Sequence, residues 1–398
     1  MIRRELYMSK IRPFIGKDIV KVLTGIRRCG KSVMLELIKE ELKENGIDEK
    51  LFLTVNFESG AVDYVRSAEL TYAYIRDFAQ DRRGKIYLFL DEIQELTGWE
   101  KMVNSCMIDF NCDIYITGSN AKLLSGELAT YLAGRYVEFR IYPFSFSEAR
   151  KMLPEKSETE AFQLYLRRGG MPFLYQFPLD AASAKQYLGD IYDSILVKDV
   201  ITRYRIRDVE LFKRMLMYMI SNIGHVFSAA SITRYMKNEC RGISNETLYN
   251  YIEYCKNACL FHLVPRQDLA GKKLLQFQEK IYLTDHGIRE AVYGNNLRDI
   301  DQVLENIVYM ELLRRGYTVM VGKNNALEVD FVAEKDGGKE YYQVAYLLAS
   351  EEAVRREFGA FKGIDDNYPK YVLSLDELNF GRNGYKHLNI RKFLLEST

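Results

Sequence analysis

The chain has few of the residues that build covalent or metal frameworks: six cysteines, four histidines and one tryptophan among 398 residues. The cysteines (Cys29, Cys106, Cys112, Cys240, Cys255 and Cys259) include no Cys-x-x-Cys pair, and the histidines stand far apart. A disulfide framework and a zinc site are therefore set aside, and a reducing cytoplasm is the expected compartment. No run approaches the roughly 18 consecutive apolar residues of a membrane-spanning helix, so no membrane partner is expected. The opening Met1-Ile2-Arg3-Arg4-Glu5-Leu6 has no apolar core and reads as no secretory signal. Excess charge of either sign is missing as well. Lys and Arg number 56 against 55 Asp and Glu, a net charge of +1, which argues against a chain-wide commitment to nucleic acid or an anionic membrane. What remains is the composition of an ordinary folded protein, 47% hydrophobic and 28% charged, long enough for two or three domains.

The first chemical signal follows the strand-like run Asp18–Thr24. Gly25-Ile26-Arg27-Arg28-Cys29-Gly30-Lys31-Ser32 matches G-x-x-x-x-G-K-[ST] and leads into a helical pattern that stops near Gly46. In that pattern Val33, Leu35, Leu37, Ile38 and Leu42 face inward, while Glu36, Lys39, Glu40, Glu41 and Lys43 face mostly outward. Gly25 and Gly30 let backbone N–H groups turn toward a phosphate, and the helix start directs its dipole at the same anion. Residues 25–33 are thus the expected nucleotide-binding segment. Lys31 would reach the β- and γ-phosphates, and the Ser32 hydroxyl would ligate Mg²⁺.

A second apolar run, Lys85–Leu90, ends in Asp91-Glu92-Ile93-Gln94. It reads as a buried parallel strand that delivers two acids at its C-terminal edge. Asp91 would hold Mg²⁺ through its water shell, and Glu92 would polarise the attacking water. Further strands are expected at Leu51–Phe57, at Cys112–Thr117 and between Arg135 and Pro143. Ser119 or Asn120, at a strand tip, would sense the γ-phosphate; the alternative is a simple polar turn. Arg135 is read as an arginine finger, as a sensor or as a solvated charge.

The phosphate loop, Asp91-Glu92-Ile93-Gln94 with Trp99-Glu100, Thr117-Gly118-Ser119-Asn120 and Gly134-Arg135 together resemble a family of prokaryotic AAA-type ATPases. So do Pro143-Phe144-Ser145-Phe146-Ser147-Glu148 and Gly169-Gly170-Met171-Pro172. The resemblance runs almost end to end. It implies the strand order of AAA ATPases, ATP rather than GTP as the nucleotide, and a C-terminal region of unassigned function. The absence of a guanine-reading Asn-Lys-x-Asp motif at a suitable strand end agrees.

The expected architecture is α/β. A P-loop NTPase core over residues 1–150 is followed by a helical lid over 151–208, with Gly169-Gly170-Met171-Pro172 as its hinge. Lys198-Asp199 through Arg203-Tyr204-Arg205 is taken as an interdomain ion-pair segment. Residues 209–290 read as three helices and a hairpin, a winged helix, with Ser228 and Ser244 as N-caps. Its residues 211–290 carry 11 basic and 7 acidic groups. The would-be recognition helix has Glu246, Glu253 and Lys256 but no arginine, and only Asn245 and Asn250 suit base readout. Arg266, Lys272 and Lys273 make the wing basic, so a protein-contact module stands beside a DNA-contact one.

Residues 291–398 carry 14 basic and 17 acidic groups. Helical Glu305, strand Asp330 and Gln343 resemble three positions of the restriction-endonuclease-like, PD-(D/E)xK fold. Alternation also puts Glu328 on the face of Asp330. Ala345 stands where that fold has lysine, which implies a degenerate site with no cationic helper and no robust nuclease activity. The expected function is Mg-ATP hydrolysis coupled to movement of the C-terminal modules. The alternatives are a nucleotide-dependent switch or scaffold, and an ATP-coupled DNA-binding protein or nuclease. An Arg135 finger acting in trans would imply a dimer or ring.

Overall fold

The computed structural model describes residues 2–59, 67–121, 132, 134–239, 242–269, 271 and 273–396. An apolar strand buried on both faces needs strands beside it and helices above and below. Strands β1 (Val20–Thr24), β3 (Ile86–Asp91) and β4 (Cys112–Gly118) meet that demand and are buried at every residue. With β2 (Phe52–Asn56) and β5 (Tyr136–Arg140) they form an all-parallel sheet in the order β2-β3-β4-β1-β5. This is the order that the resemblance implies. Helices α1 (Glu5–Ile11), α2 (Lys31–Glu44), α3 (Ala68–Gln80) and α4 (Trp99–Asp109) accompany the sheet. Val22, Leu88, Leu90, Ile114 and Ile116 pack in one core with Ile75, Trp99 and Val103. Each such side chain contributes about 1.5–3 kcal/mol of burial.

Helix α2 departs from its sequence pattern in three places. Val33 is 38% exposed, whereas Lys39 and Glu41 are buried. Tertiary partners explain Glu41: its carboxylate accepts from Arg12 at 2.7 Å and from Arg3 at 3.1 Å. Lys39 pairs with Glu36 at 2.7 Å and lies over the ring of Phe89.

The residues separate into two units, Met1–Tyr142 with Asn257–Cys259, and Pro143–Lys256 with Leu260–Thr398. The continuous stretch of the N-terminal unit thus runs to Tyr142, where the expectation was 150. In the second unit, helices Phe146–Lys151 and Glu158–Arg168 begin with capping boxes, Ser145 with Glu148 and Ser157 with Glu160. Helix Ala181–Ser194 continues through the wider turns of Ile195–Thr202, where Asp199 lies 4.0 Å from Arg203 one turn away. Helices Val209–Ser221, Ala229–Glu239 and Asn245–Asn257 follow.

The strands of this unit are β6 (Val226–Phe227), β7 (Phe261–Asp268), β8 (Lys273–Leu283), β9 (Thr318–Asn324), β10 (Leu327–Lys335), β11 (Gly338–Val344), β12 (Lys370–Ser374) and β13 (Lys386–Asn389). They form one sheet in the order β13-β12-β11-β10-β9-β7-β8-β6. Parallel pairing of β7 with β9 sets Arg266 opposite Val321. The boundary expected at residue 290 therefore does not separate two sheets; the hairpin and the C-terminal strands share one. Among the described residues no helix is long and apolar enough to cross a membrane.

The expected hinge at Gly169-Gly170 is instead a buried clamp. Asp285 accepts from the Gly170 N–H at 2.7 Å and from the Gly287 N–H at 2.8 Å. Gly169 has φ +69°, and a Cβ there would stand 2.0 Å from Asp285 Oδ1, so the segment cannot swing without breaking these bonds. The neighbouring His286 ring nitrogen lies 2.7 Å from the Tyr165 carbonyl, as a neutral N–H donor.

Burial pushes the Asp285 carboxyl up to about 6 and the His286 imidazole down to about 4. The raised Asp285 favours the folded state at low pH, and that contribution is lost as pH rises through about 6. The lowered His286 acts the other way: between its ordinary 6.5 and about 4 the unfolded chain takes the proton, so stability falls as pH falls. His286→Gln keeps an N–H donor and removes the second contribution. Relative to the parent, the variant should lose ~3 kcal/mol of unfolding free energy as pH rises from 4 to 6.5. Equilibrium denaturation at both pH values measures it, and a pH-independent difference contradicts it.

Candidate functional site

The phosphate loop lies at the C-terminal edge of the parallel sheet, where β1 passes into α2. At Gly25 a Cβ would stand 2.2 Å from the Ile141 carbonyl oxygen, so only glycine fits. Gly30 takes φ +103° to start α2, and Arg28 takes φ +67°. Ile26 and Cys29 are buried. The Cys29 thiol lies 3.2 Å from the Ile141 carbonyl, and burial pushes its pKa up, so it anchors the loop and is no nucleophile. Arg27 pairs with Glu58 at 2.7 Å. Lys31 is buried; its ammonium reaches the carbonyls of Gly25 and Ile26 at 3.2 and 3.4 Å and lies 3.4 Å from Glu92 Oε1. Ser32 and Val33 are exposed at the first turn of α2.

Asp91 and Glu92 stand at the end of β3, only 5% and 8% exposed. Thr117 of β4 serves both acids. Its hydroxyl donates to Asp91 Oδ1 at 2.5 Å and accepts from the Glu92 backbone N–H at 2.9 Å. Asn56 of β2 donates to Asp91 Oδ2 at 3.2 Å. Burial raises the Asp91 pKa overall, against bonds from Thr117 and Ser32 that lower it. For Glu92 burial also acts upward, but Lys31 and the Gln94 amide hold its carboxyl below the ordinary value. Glu92 itself adopts φ +53° and ψ 49°. A non-glycine residue in that region stores ~1–3 kcal/mol of strain, which points the side chain back over the loop.

The Ser32 hydroxyl lies near enough to Asp91 to lower its pKa, which brings two hard oxygen donors to one place. That donor set fits Mg²⁺, which takes one or two protein oxygens and fills its other positions with water and phosphate. Ser119 and Asn120 are buried just past β4, and Ser119 Oγ lies 3.5 Å from the Gln94 amide nitrogen.

Arg135 stands elsewhere. Strand β5 runs parallel to β1 with Tyr136 opposite Val20 and Arg140 opposite Thr24. Arg135 is therefore at the N-terminal edge of the sheet, about 16 Å of strand away from the loop edge. That register argues against a sensor role at its own site and leaves a finger in trans or a solvated charge. The arginine at the loop edge of β5 is Arg140, 3.6 Å from Glu138. Thr117 and Asn56 lay outside the expected site because their roles depend on which strands flank β3, and Gln94 because its role depends on the left-handed turn at Glu92.

The C-terminal acids do come together, with a partner that was not foreseen. Lys280 of β8 lies 2.7 Å from both Glu305 and Glu328 and 3.7 Å from Asp330. Tyr282 donates to Glu305, Asp330 accepts from the Val344 N–H at 2.9 Å, and Gln343 accepts from the Asp330 N–H at 3.2 Å. Ala345 packs in an apolar cluster with Val329 and Val332. The expectation of no cationic helper is thus corrected, because the cation comes from another strand. Burial works against the Lys280 charge, yet Glu305, Asp330 and Glu328 hold its pKa above the ordinary value. Asp330 is pushed well up by burial and by Glu305.

Comparison with known proteins agrees with the N-terminal geometry. A family model described as an AAA domain matches residues 17–150, and one described as a domain of unknown function (DUF8612) matches residues 159–299. An uncharacterized protein of Haemophilus influenzae is 36% identical over 378 residues, 94% of this chain and 93% of its own. The uncharacterized protein MJ1544 of Methanocaldococcus jannaschii is 30% identical over 407 residues, 95% of this chain and 87% of its own. Among solved structures, the Walker-type ATPase PABY2304 of Pyrococcus abyssi matches 73% of this chain and 95% of its own, with a TM-score of 0.50. At 15% identity that likeness concerns the fold alone.

The acid cluster yields a stability test. Lys280→Met would leave Glu305, Glu328 and Asp330 without their shared cation, so it should cost ~3–5 kcal/mol in equilibrium denaturation. A loss below ~1 kcal/mol, the range of a solvated surface pair, would contradict the assignment.

Proposed function

The chain belongs to the family of AAA-domain proteins that includes its Haemophilus influenzae and Methanocaldococcus jannaschii relatives, and on that basis we propose that it binds Mg-ATP at Gly25–Ser32 and hydrolyses it with Glu92 as base. The AAA domain and the parallel α/β sheet make this a P-loop ATPase fold. One observation carries the finer reading. The loop lysine and the two strand-end acids meet at one edge, Lys31 lying 3.4 Å from Glu92, with the Ser32 hydroxyl near enough to Asp91 to lower its pKa.

In this reading the loop N–H groups and Lys31 hold the β- and γ-phosphates. Ser32 and Asp91 hold magnesium, which when bound neutralises phosphate charge. Water attacks the γ-phosphorus as Glu92 accepts its proton. The new phosphorus–oxygen bond forms while the bond to the β,γ-bridging oxygen breaks, and ADP leaves with that electron pair. Ser119 or Asn120 reports the γ-phosphate. An arginine supplied in trans, Arg135, would require a second copy of the chain.

Hydrolysis then drives movement of the C-terminal unit. Its three helices, 209–221, 229–239 and 245–257, followed by the β7–β8 hairpin, support the winged-helix reading. DNA contact gains little support from the third helix, where Lys256 already pairs with Glu253 at 3.1 Å. Lys272 lies outside the described residues, and so does the side chain of Lys273. The restriction-endonuclease-like reading of residues 291–398 is kept as a fold without metal-dependent cleavage, because Lys280 already neutralises its acids.

Lys31→Ala should abolish ATP binding. Glu92→Gln should bind ATP within a few-fold of the parent and lose about 10²–10⁴ in turnover, the usual contribution of a general base. Calorimetric binding and phosphate release separate the two effects. Full turnover by Glu92→Gln would refute the assignment.

A further inference from the structure

Gln94 enters the site from outside the phosphate-loop pattern. It lies on the short turn Ile93–Glu95 that follows the left-handed Glu92, and its side chain folds back over that residue. The amide N–H donates to Glu92 Oε2 at 2.6 Å and reaches toward Ser119 Oγ at 3.5 Å. The other oxygen, Glu92 Oε1, faces Lys31 at 3.4 Å. Each carboxylate oxygen of Glu92 therefore has its own partner. Charge sets the orientation of the amide, since the reverse would put its carbonyl oxygen against a carboxylate. As a consequence Gln94 Oε1 is buried and, among the described residues, has no hydrogen-bond partner. A buried acceptor left unpaired beside a reactive carboxylate is one that a bound molecule is expected to satisfy.

We propose that Gln94 is the positioning residue of the hydrolytic step, tying Glu92 through one oxygen and orienting the attacking water through its own carbonyl. This rests on the hydrolysis reading given above. The γ-phosphate carries more charge than Glu92 and is the stronger partner for Lys31. As Lys31 turns to it, Glu92 Oε1 is released to accept a proton, while Oε2 stays held by Gln94. Without that tether the freed carboxylate rotates about its side-chain torsions, and the base loses its aim at the water. Among the described residues the Gln94 amide bonds to Glu92 and Ser119 and to no residue of the phosphate loop, so nucleotide affinity is expected to be independent of it.

The test is steady-state ATP turnover by the full chain, with Gln94→Ala, the volume-preserving Gln94→Met and Glu92→Gln beside the parent. Both Gln94 variants should lose about 10–100-fold in kcat, with KM for ATP within about threefold and melting temperature unchanged. Gln94→Met carries the test where the alanine variant does not fold. A kcat within about twofold of the parent overturns the proposal, as does a parallel change in KM, kcat and melting temperature, the mark of a merely structural residue. If Glu92→Gln keeps parental turnover, the hydrolysis reading itself fails. If Glu92→Gln is inactive and both Gln94 variants are fully active, only the role of Gln94 fails.

Discussion

Two carboxylates buried side by side at the end of one strand must be hydrogen bonded and partly neutralised, or they cannot stay there as charges. The N-terminal unit is arranged around that demand. Thr117 reaches across from β4 to serve the Asp91 side chain and the Glu92 backbone at once. Asn56 bonds the other oxygen of Asp91, the Ser32 hydroxyl nearby lowers its pKa, and Lys31 supplies the positive charge. The sheet order makes this feasible, because β4 lies between the strand that ends in the loop and the strand that ends in the acids. The same arrangement brings loop and acids to one edge, where, in the proposed function, a phosphate would meet N–H groups, an ammonium and two carboxylates together. The left-handed backbone at Glu92 is the local cost of aiming its side chain into that crevice.

The second unit obeys the same rule in different ways. Three carboxylates converge from a helix and from β10, and a lysine from β8 sits among them. That lysine is better read as a built-in counter-ion than as a helper of a bound metal, since it already engages two acids at 2.7 Å. At the Gly169-Gly170 turn a buried aspartate takes the Gly170 N–H that the turn would leave unpaired, while its other oxygen accepts from the Gly287 N–H. Both features tie together residues more than a hundred positions or several strands apart. They give the unit one shared sheet and a fixed turn where the sequence suggested separate modules and a hinge.

Much of the N-terminal fold was legible because its signals are local. A glycine loop between a strand and a helix, and an apolar run ending in two acids, each announce themselves within ten residues. The strand order came through the resemblance and not through periodicity. What was not legible depends on which elements become neighbours. Thr117 looks like an ordinary polar residue until β3 and β4 pair, Gln94 until the left-handed Glu92 folds it back, and Arg135 looks like a site residue until the register of β5 places it at the far edge. The absence of the nuclease-like lysine at Ala345 is legible in the sequence itself. Its replacement by Lys280 was invisible, because β8 reaches the acids through a sheet that no local pattern specifies. Val33 and Glu41 were misassigned on α2 for a related reason: helical period describes a face, while Arg3 and Arg12 decide what that face can bury.

The account stands or falls on one property of the phosphate-loop edge: it binds ATP with magnesium and cleaves the γ-phosphate there. Phosphate release from the full-length chain with ATP, in magnesium and after chelation of magnesium, measures that property most directly. The account predicts release in magnesium and its loss on chelation. ATP that stays bound and uncleaved in magnesium, or release that chelation leaves undiminished, would contradict it.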